Sequence, residues 1–253
     1  MREEILNILS SIEEKQDVAI PYAVESGSRA WGFESADSDY DVRFIYVRPL
    51  EDYLRIRPLR DVIELPLTNV LDVNGWDLVK ALNLFRSSNP PLLEWLNSPI
   101  IYQENGSLAQ ELRDLSIVSF SPRRMTFHYL SMANRTFKEY VDGKSEVRHK
   151  KYLYLLRPLF CIRWIEQWNS PPPTNLHQML EEIEVPEELL IRIHEIIEAK
   201  KTASEAESNH ADPIITKFAI EELERIKNLP PTLPDPEINI ETMNALFRRH
   251  VLL

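Results

Sequence analysis

Val24-Glu25-Ser26-Gly27-Ser28-Arg29-Ala30-Trp31-Gly32, continuing to Asp39-Tyr40-Asp41-Val42-Arg43-Phe44-Ile45-Tyr46-Val47, is the stretch that decides how this chain is read. Just upstream, Asp17 to Glu25 is rich in β-formers and predicts a strand. Ser26 to Gly32 reads as a turn opening a short helix. Asp41 to Val47 alternates apolar with other residues and predicts a second strand. The order is therefore strand, Gly-Ser turn, short helix, Asp-x-Asp, strand.

That order has a chemical meaning. Residues two apart on a strand face the same side, so Asp39 and Asp41 share a face. Two neighbouring carboxylates repel, and a divalent cation relieves the repulsion. Mg²⁺ favours such hard oxygen ligands together with substrate phosphates, and Mn²⁺ is the alternative. Metals so held can activate an attacking oxygen and steady a leaving group. Phosphoryl-type transfer needs mainly that positioning and neutralisation. Gly27 lets backbone approach a phosphate, and the N–H groups of a helix start attract anions. Ser28 can add a hydroxyl there, and Arg29 a positive charge. Either half alone is commonly a solvated turn; the ordered set is the sharper signal.

Working outward, Ile5, Leu6, Ile8, Leu9 and Ile12 predict a first helix over residues 3–15. Asp61 to Asp72 holds a third strand, broken or turned at Pro66. From about Gly75 the period turns helical, with Trp76, Val79, Leu82 and Phe85 on one face up to Asn89-Pro90-Pro91. A short helical piece at 92–96 and a strand at 99–102 follow. Past residue 118 the pattern is helical throughout. Ser121-Pro122 is a helix start. A second long helix, 147–168, contains Pro158, which predicts a kink. Further helices are expected near 174–182, 186–200, 212–228 and 239–249, with a mobile polar loop at 201–209.

A second cluster is Arg148-His149-Lys150-Lys151 with Tyr154 and Arg157. Lys150, Tyr154 and Arg157 fall on one helical face, and Lys151 and Tyr154 are three apart. Basic and aromatic groups together hold phosphates and stack bases. The competing reading is a solvated basic helix start, although positive charge is unfavourable there. Lys80 is a weaker, isolated basic candidate. The histidines show no i, i+4 ligand spacing. Trp31, Trp76 and Trp95 read as packing residues. No Gly-x-Ser-x-Gly elbow is present.

A net charge of −11 argues against a broad grip on duplex phosphates and leaves room for a small contact with a nucleic-acid end. The single cysteine, Cys161, lies in an apolar run and is expected in the core, with no internal disulfide. The N-terminus lacks a secretory apolar region, and no apolar run approaches the roughly 18 residues of a membrane span. A cytoplasmic protein without membrane contact is expected.

Residues 24–47 resemble the signature of the DNA polymerase β nucleotidyltransferase superfamily. They look closest to its bacterial branch associated with RNA repair. Asp72-Val73-Asn74-Gly75-Trp76-Asp77-Leu78-Val79-Lys80, on through Asn89-Pro90 and Glu94-Trp95-Leu96, is similar to the same branch, as is Lys150 to Leu159. The resemblance covers roughly residues 20–170. It implies an α+β fold, with a small mixed-sheet nucleotidyltransferase domain at 1–117 and a helical domain at 118–253. It implies transfer of a nucleoside monophosphate from a nucleoside triphosphate such as ATP to an acceptor hydroxyl, an RNA 3′ end among the candidates. It puts Gly27 and Ser28 at the triphosphate and makes Asp39 and Asp41 metal ligands. It also asks for a third carboxylate on a neighbouring strand. Asp72 is the best match, with Asp77 and Glu64 as alternatives. A protein that keeps this fold without turnover, such as an antitoxin-like partner, is the other reading.

Overall fold

Alternating apolar strands need a covered face, and here helices supply the cover. The computed structural model of the protein describes residues 1–67, 70–202 and 208–252. The chain starts with α1 (Arg2–Gln16), which buries Ile5, Leu9 and Ile12 on one stripe and ends at Asp17 in the left-handed conformation. Then come β1 (Ala19–Glu25), α2 (Gly27–Trp31), β2 (Tyr40–Val47), α3 (Leu50–Tyr53), β3 (Val62–Glu64), β4 (Leu71–Asp77), α4 (Leu78–Arg86), α5 (Pro90–Leu96), β5 (Ile101–Glu104) and α6 (Leu108–Ser119). The strands form one mixed sheet in the order β3-β4-β2-β1-β5. β2 and β4 are parallel; the other pairs are antiparallel. Ile20, Ala23, Val42, Phe44, Tyr46 and Val73 pack with the α1 stripe into one core.

The stretch predicted as a third strand is two strands, β3 and β4, with Pro66 in their connection; Thr68 and Asn69 lie outside the described residues. β4 continues through Gly75 and Trp76, where helical spacing predicted the next helix. Tertiary packing decides the matter. A side chain at Gly75 would stand 2.1 Å from the Phe44 ring, so the strand lies flat on that ring. Trp76 stacks on Trp95 with ring centroids 3.8 Å apart. The helix begins only at Leu78, where the Asp77 carboxylate caps Val79 N–H at 2.8 Å. The short α3 and α6 have no clear periodic signal in the sequence. In α6 only Leu108, Ala109, Leu112 and Ser116 are buried, a stripe too sparse to stand out.

The remaining elements are α7 (Pro122–Tyr140), β6 (Glu146–Arg148), α8 (His149–Trp168), α9 (Leu176–Glu182), α10 (Glu187–Thr202), β7 (Ser208–His210), α11 (Pro213–Ile226), a short 3₁₀ turn at Pro230–Thr232, and α12 (Ile240–Val251). α8 is apolar on nearly every side and buries Leu153, Leu156, Leu159, Phe160, Cys161 and Ile162, as befits a central helix. It runs continuously through Pro158. β7 pairs with β6 inside the stretch read as a polar loop; residues 203–207 of that loop lie outside the described residues.

Two compact units result. The first holds Met1–Ala30, Asp39–Phe120 and the chain from Pro236 on; the second holds Trp31–Ser38 and Ser121–Asp235. A single cut between 117 and 118 therefore misses the return of the C-terminal helix. α12 buries Met243 and Leu246, sets Phe247 edge-on to Tyr53 at 5.0 Å, and pairs Arg249 with Glu111. Among the described residues no helix is long and apolar enough to cross a membrane.

One ion cluster braces the helical unit. Glu222 of α11 is 2% exposed and receives two hydrogen bonds from Arg163, both 2.8 Å, with Arg225 on its other side. Burial alone would raise its pKa; the bonds and charges of Arg163 and Arg225 prevail and hold it at about 2. A carboxyl depressed from the usual 4.5 stabilises the fold above that pH and loses its contribution as pH falls toward 2. Glu222→Gln is expected to cost on the order of 3 kcal/mol at neutral pH. It should also flatten the fall in melting temperature between pH 4.5 and 2 relative to wild type, measured by circular dichroism. An unaltered slope would show that the cluster contributes nothing there.

Candidate functional site

The turn after β1 and the start of β2 are welded together. Ser26 N–H donates to Asp41 O at 2.8 Å. Gly27 has a φ of +60°, and a Cβ built on it would stand 2.0 Å from Asp41 Oδ2. Backbone conformation and contact both demand glycine. Ser28 is buried in α2 beside it. Arg29 lays its guanidinium 3.8 Å from the Tyr40 ring centroid, and its Nε donates to Asp39 O at 3.1 Å. The Gly-Ser turn and the Asp-x-Asp, ten residues apart in the chain, thus form one structural unit.

The acids are arranged across the sheet. Asp41 on β2 and Asp72 on β4 are direct register partners in the parallel pair. Adjacent strands lie only about 4.8 Å apart, so two like charges here need a counter-charge. Arg43 supplies it. Its Nη2 donates to Asp41 Oδ1 at 2.9 Å and to Asp72 Oδ2 at 2.7 Å. Its Nη1 donates to the backbone oxygens of Asp72 at 3.0 Å and Val42 at 3.1 Å. Asp39 stands just before β2, exposed, and among the described residues its carboxylate has no hydrogen-bond or ion-pair partner.

The other two acids weighed for the third position are engaged elsewhere. Asp77 caps α4 and accepts from Tyr53 Oη at 3.1 Å. Burial pushes its carboxyl pKa up, against the opposing pull of the Val79 N–H and Tyr53. Glu64 lies across from Asn74 on β3 and pairs with Arg60 at 2.6 Å. Of the three, Asp72 is the one beside Asp41. Among the described residues no three His, Cys, Asp or Glu side chains close around one point. Hard oxygen donors of this kind are what a divalent ion prefers, and Asp41 and Asp72 here share a cationic partner, the guanidinium of Arg43.

Glu25, the last residue of β1, carries no motif that marks it in the sequence. It is 1% exposed. Its Oε1 accepts from Asp41 N–H at 2.7 Å, and Tyr102 Oη donates to its Oε2 in a short contact. Ser98 Oγ donates to its backbone oxygen at 2.6 Å. Burial pushes its carboxyl pKa up, while the bonds from Tyr102 and Asp41 N–H oppose that. The signal was an acid closing an otherwise apolar strand.

In the helical unit, the cluster on α8 divides. Arg157 is 3% exposed and stacks 4.5 Å above Trp31, with Nη2 donating to Thr174 O at 3.2 Å. Tyr154 meets the same Trp31 edge-on at 5.5 Å, with Lys150 Nζ 5.6 Å over its ring. Lys151 turns to Tyr140, 3.6 Å from that ring centroid. Tyr154 and Arg157 are therefore brought together around Trp31, while Lys151 is directed elsewhere. Lys80, in the first unit, pairs with Asp61 at 3.1 Å.

Two substitutions test the weld. Gly27→Ala should cost about 1–3 kcal/mol through its positive φ and its clash with Asp41. Glu25→Ala strands the Asp41 N–H and the Tyr102 hydroxyl, and should cost about 2 kcal/mol or more. Urea denaturation measures both, and losses below about 0.5 kcal/mol, the level of a neutral surface change, would contradict this account.

The model of the family described as RlaP, RNA repair pathway DNA polymerase beta family, matches residues 1–249. The chain is 45% identical over 226 residues to the uncharacterized protein YcgL of Bacillus subtilis (strain 168), covering 89% of this chain and 86% of that protein. Among solved structures, a nucleotidyltransferase-like protein from Exiguobacterium sibiricum 255-15 aligns with 92% of this chain and 75% of its own, at 12% identity and a TM-score of 0.33. By a family match that spans nearly its whole length, the chain belongs to the RNA repair pathway DNA polymerase beta family.

Proposed function

We propose that the protein transfers a nucleoside monophosphate from a nucleoside triphosphate to an acceptor hydroxyl and releases pyrophosphate. The observation that carries this reading is the in-register pair Asp41 and Asp72, joined to a Gly27 turn that admits no side chain. Asp39, Asp41 and Asp72 are the residues that would hold Mg²⁺ or Mn²⁺. Bound there, the metal would neutralise phosphate charge and favour departure of pyrophosphate.

The chain's own groups supply the rest. Gly27 and Ser28 are assigned to the triphosphate, where backbone can approach without steric hindrance. Arg29, kept near by Tyr40 and the Asp39 carbonyl, adds positive charge. Asp72 is assigned to take the proton of the attacking hydroxyl, as a carboxylate beside the metal ligands can. Arg157 is assigned to holding Trp31, with Tyr154 edge-on to the same ring. The family's RNA repair context favours an RNA 3′ end as acceptor. The net charge of −11 fits contact with an end better than with a long duplex.

The test is incubation with labelled nucleoside triphosphates, Mg²⁺ or Mn²⁺, and total RNA, protein or small acceptors. Labelled RNA is expected. Asp41→Asn should abolish transfer. Asp72→Asn should slow it at least about a hundredfold, as loss of a positioned base does, with an unchanged melting curve. No transfer to any acceptor would overturn the proposal and favour a protein that binds nucleotide without turnover. Full activity in Asp72→Asn would move the third acid elsewhere.

A further inference from the structure

Arg43 already occupies the position of a cation. Its Nη2 touches one oxygen of Asp41 and one of Asp72, and the three side chains are mostly shielded, at 17%, 28% and 36% exposed. We infer that Arg43 competes with the divalent metal for these two acids, so that metal binding requires its guanidinium to leave the pair. This rests on the reading that Asp41 and Asp72 hold a metal.

Three observations converge. A guanidinium and a dication cannot share the same two carboxylates at a few ångströms without strong repulsion, because partial burial weakens screening. The two acids converge on one nitrogen of Arg43, and no three-acid cluster closes among the described residues. Asp39, whose carboxylate Arg43 does not touch, stays exposed at the edge of the site. The exchange is also physically accessible. The arginine side chain is long, and its second nitrogen is held by two backbone carbonyls, Asp72 O and Val42 O, rather than by further charges. Those two carbonyl bonds keep part of the guanidinium hydrogen-bonded when its other nitrogen leaves the carboxylates. While it stays, it serves the metal-free protein by neutralising two adjacent acids.

The test is Mn²⁺ titration of the full chain, followed by electron paramagnetic resonance, with melting curves alongside. Arg43→Gln should bind Mn²⁺ at least about threefold more tightly than wild type, the scale of losing competing ion pairs. Its metal-free form should melt lower, and Mn²⁺ should raise its melting temperature more than in wild type. Arg43→Lys, a point charge that cannot fork across both acids, should fall between the two. Equal or weaker binding by Arg43→Gln would overturn the inference and make Arg43 a residue that holds the acids ready for metal. If Arg43→Gln does not fold, Arg43→Lys decides by the same criterion. Asp41→Asn should lose Mn²⁺ in both the wild-type and Arg43→Gln backgrounds. Undiminished binding in Asp41→Asn would instead remove the metal reading itself.

Discussion

Asp41 is the residue on which the site hangs. Its N–H is held by buried Glu25 and its carbonyl by Ser26 N–H. One carboxylate oxygen takes Arg43, and the other lies where a side chain at Gly27 would have to be. Across the sheet its register partner is Asp72. Each contact constrains a different element: β1, the turn, β2 and β4. Displacing this one residue would disturb four pieces of structure. The proposed phosphate chemistry would draw on that rigidity, because such catalysis is largely positioning.

The parallel pairing of β2 with β4 has a cost that the antiparallel pairs do not carry. It sets two acids side by side, Asp41 and Asp72, where ordinary sheet stability would avoid like charges. Arg43 offsets the cost from two positions along the same strand. Such a local conflict with a compensating neighbour is what a functional site looks like in an otherwise consistent fold.

The Asp39–Asp41 motif and the Gly-Ser turn were legible because their signals are local: strand alternation, a glycine and a short spacing. Most helices were legible for the same reason. What could not be read was pairing. Nothing in Asp72's neighbourhood reveals that it meets Asp41 in register, and its likeness to a family supplied that expectation. Arg43 and Glu25 look like ordinary polar members of two alternating strands; their roles exist only once β1, β2 and β4 are side by side. Trp76 misled because its apolar spacing suits a helix, while its stacking on Trp95 belongs to a strand. Arg157 looked like a phosphate-seeking base and is instead buried on Trp31, a partner more than a hundred residues away.

Depth then separates the roles of the three acids around the turn. Glu25 is fully buried, accepts two hydrogen bonds, and has its pKa pushed up by desolvation. Its work is structural: it holds the Asp41 backbone and gains nothing from facing solvent. Asp41 is half-shielded and shares a guanidinium, so it keeps its charge at moderate desolvation cost. Asp39 is exposed and faces solvent. On the proposed reading, a dication entering from solvent would meet Asp39 first and would find Asp41 and Asp72 already committed to Arg43. The order of contact is thus set by burial along a single turn of chain.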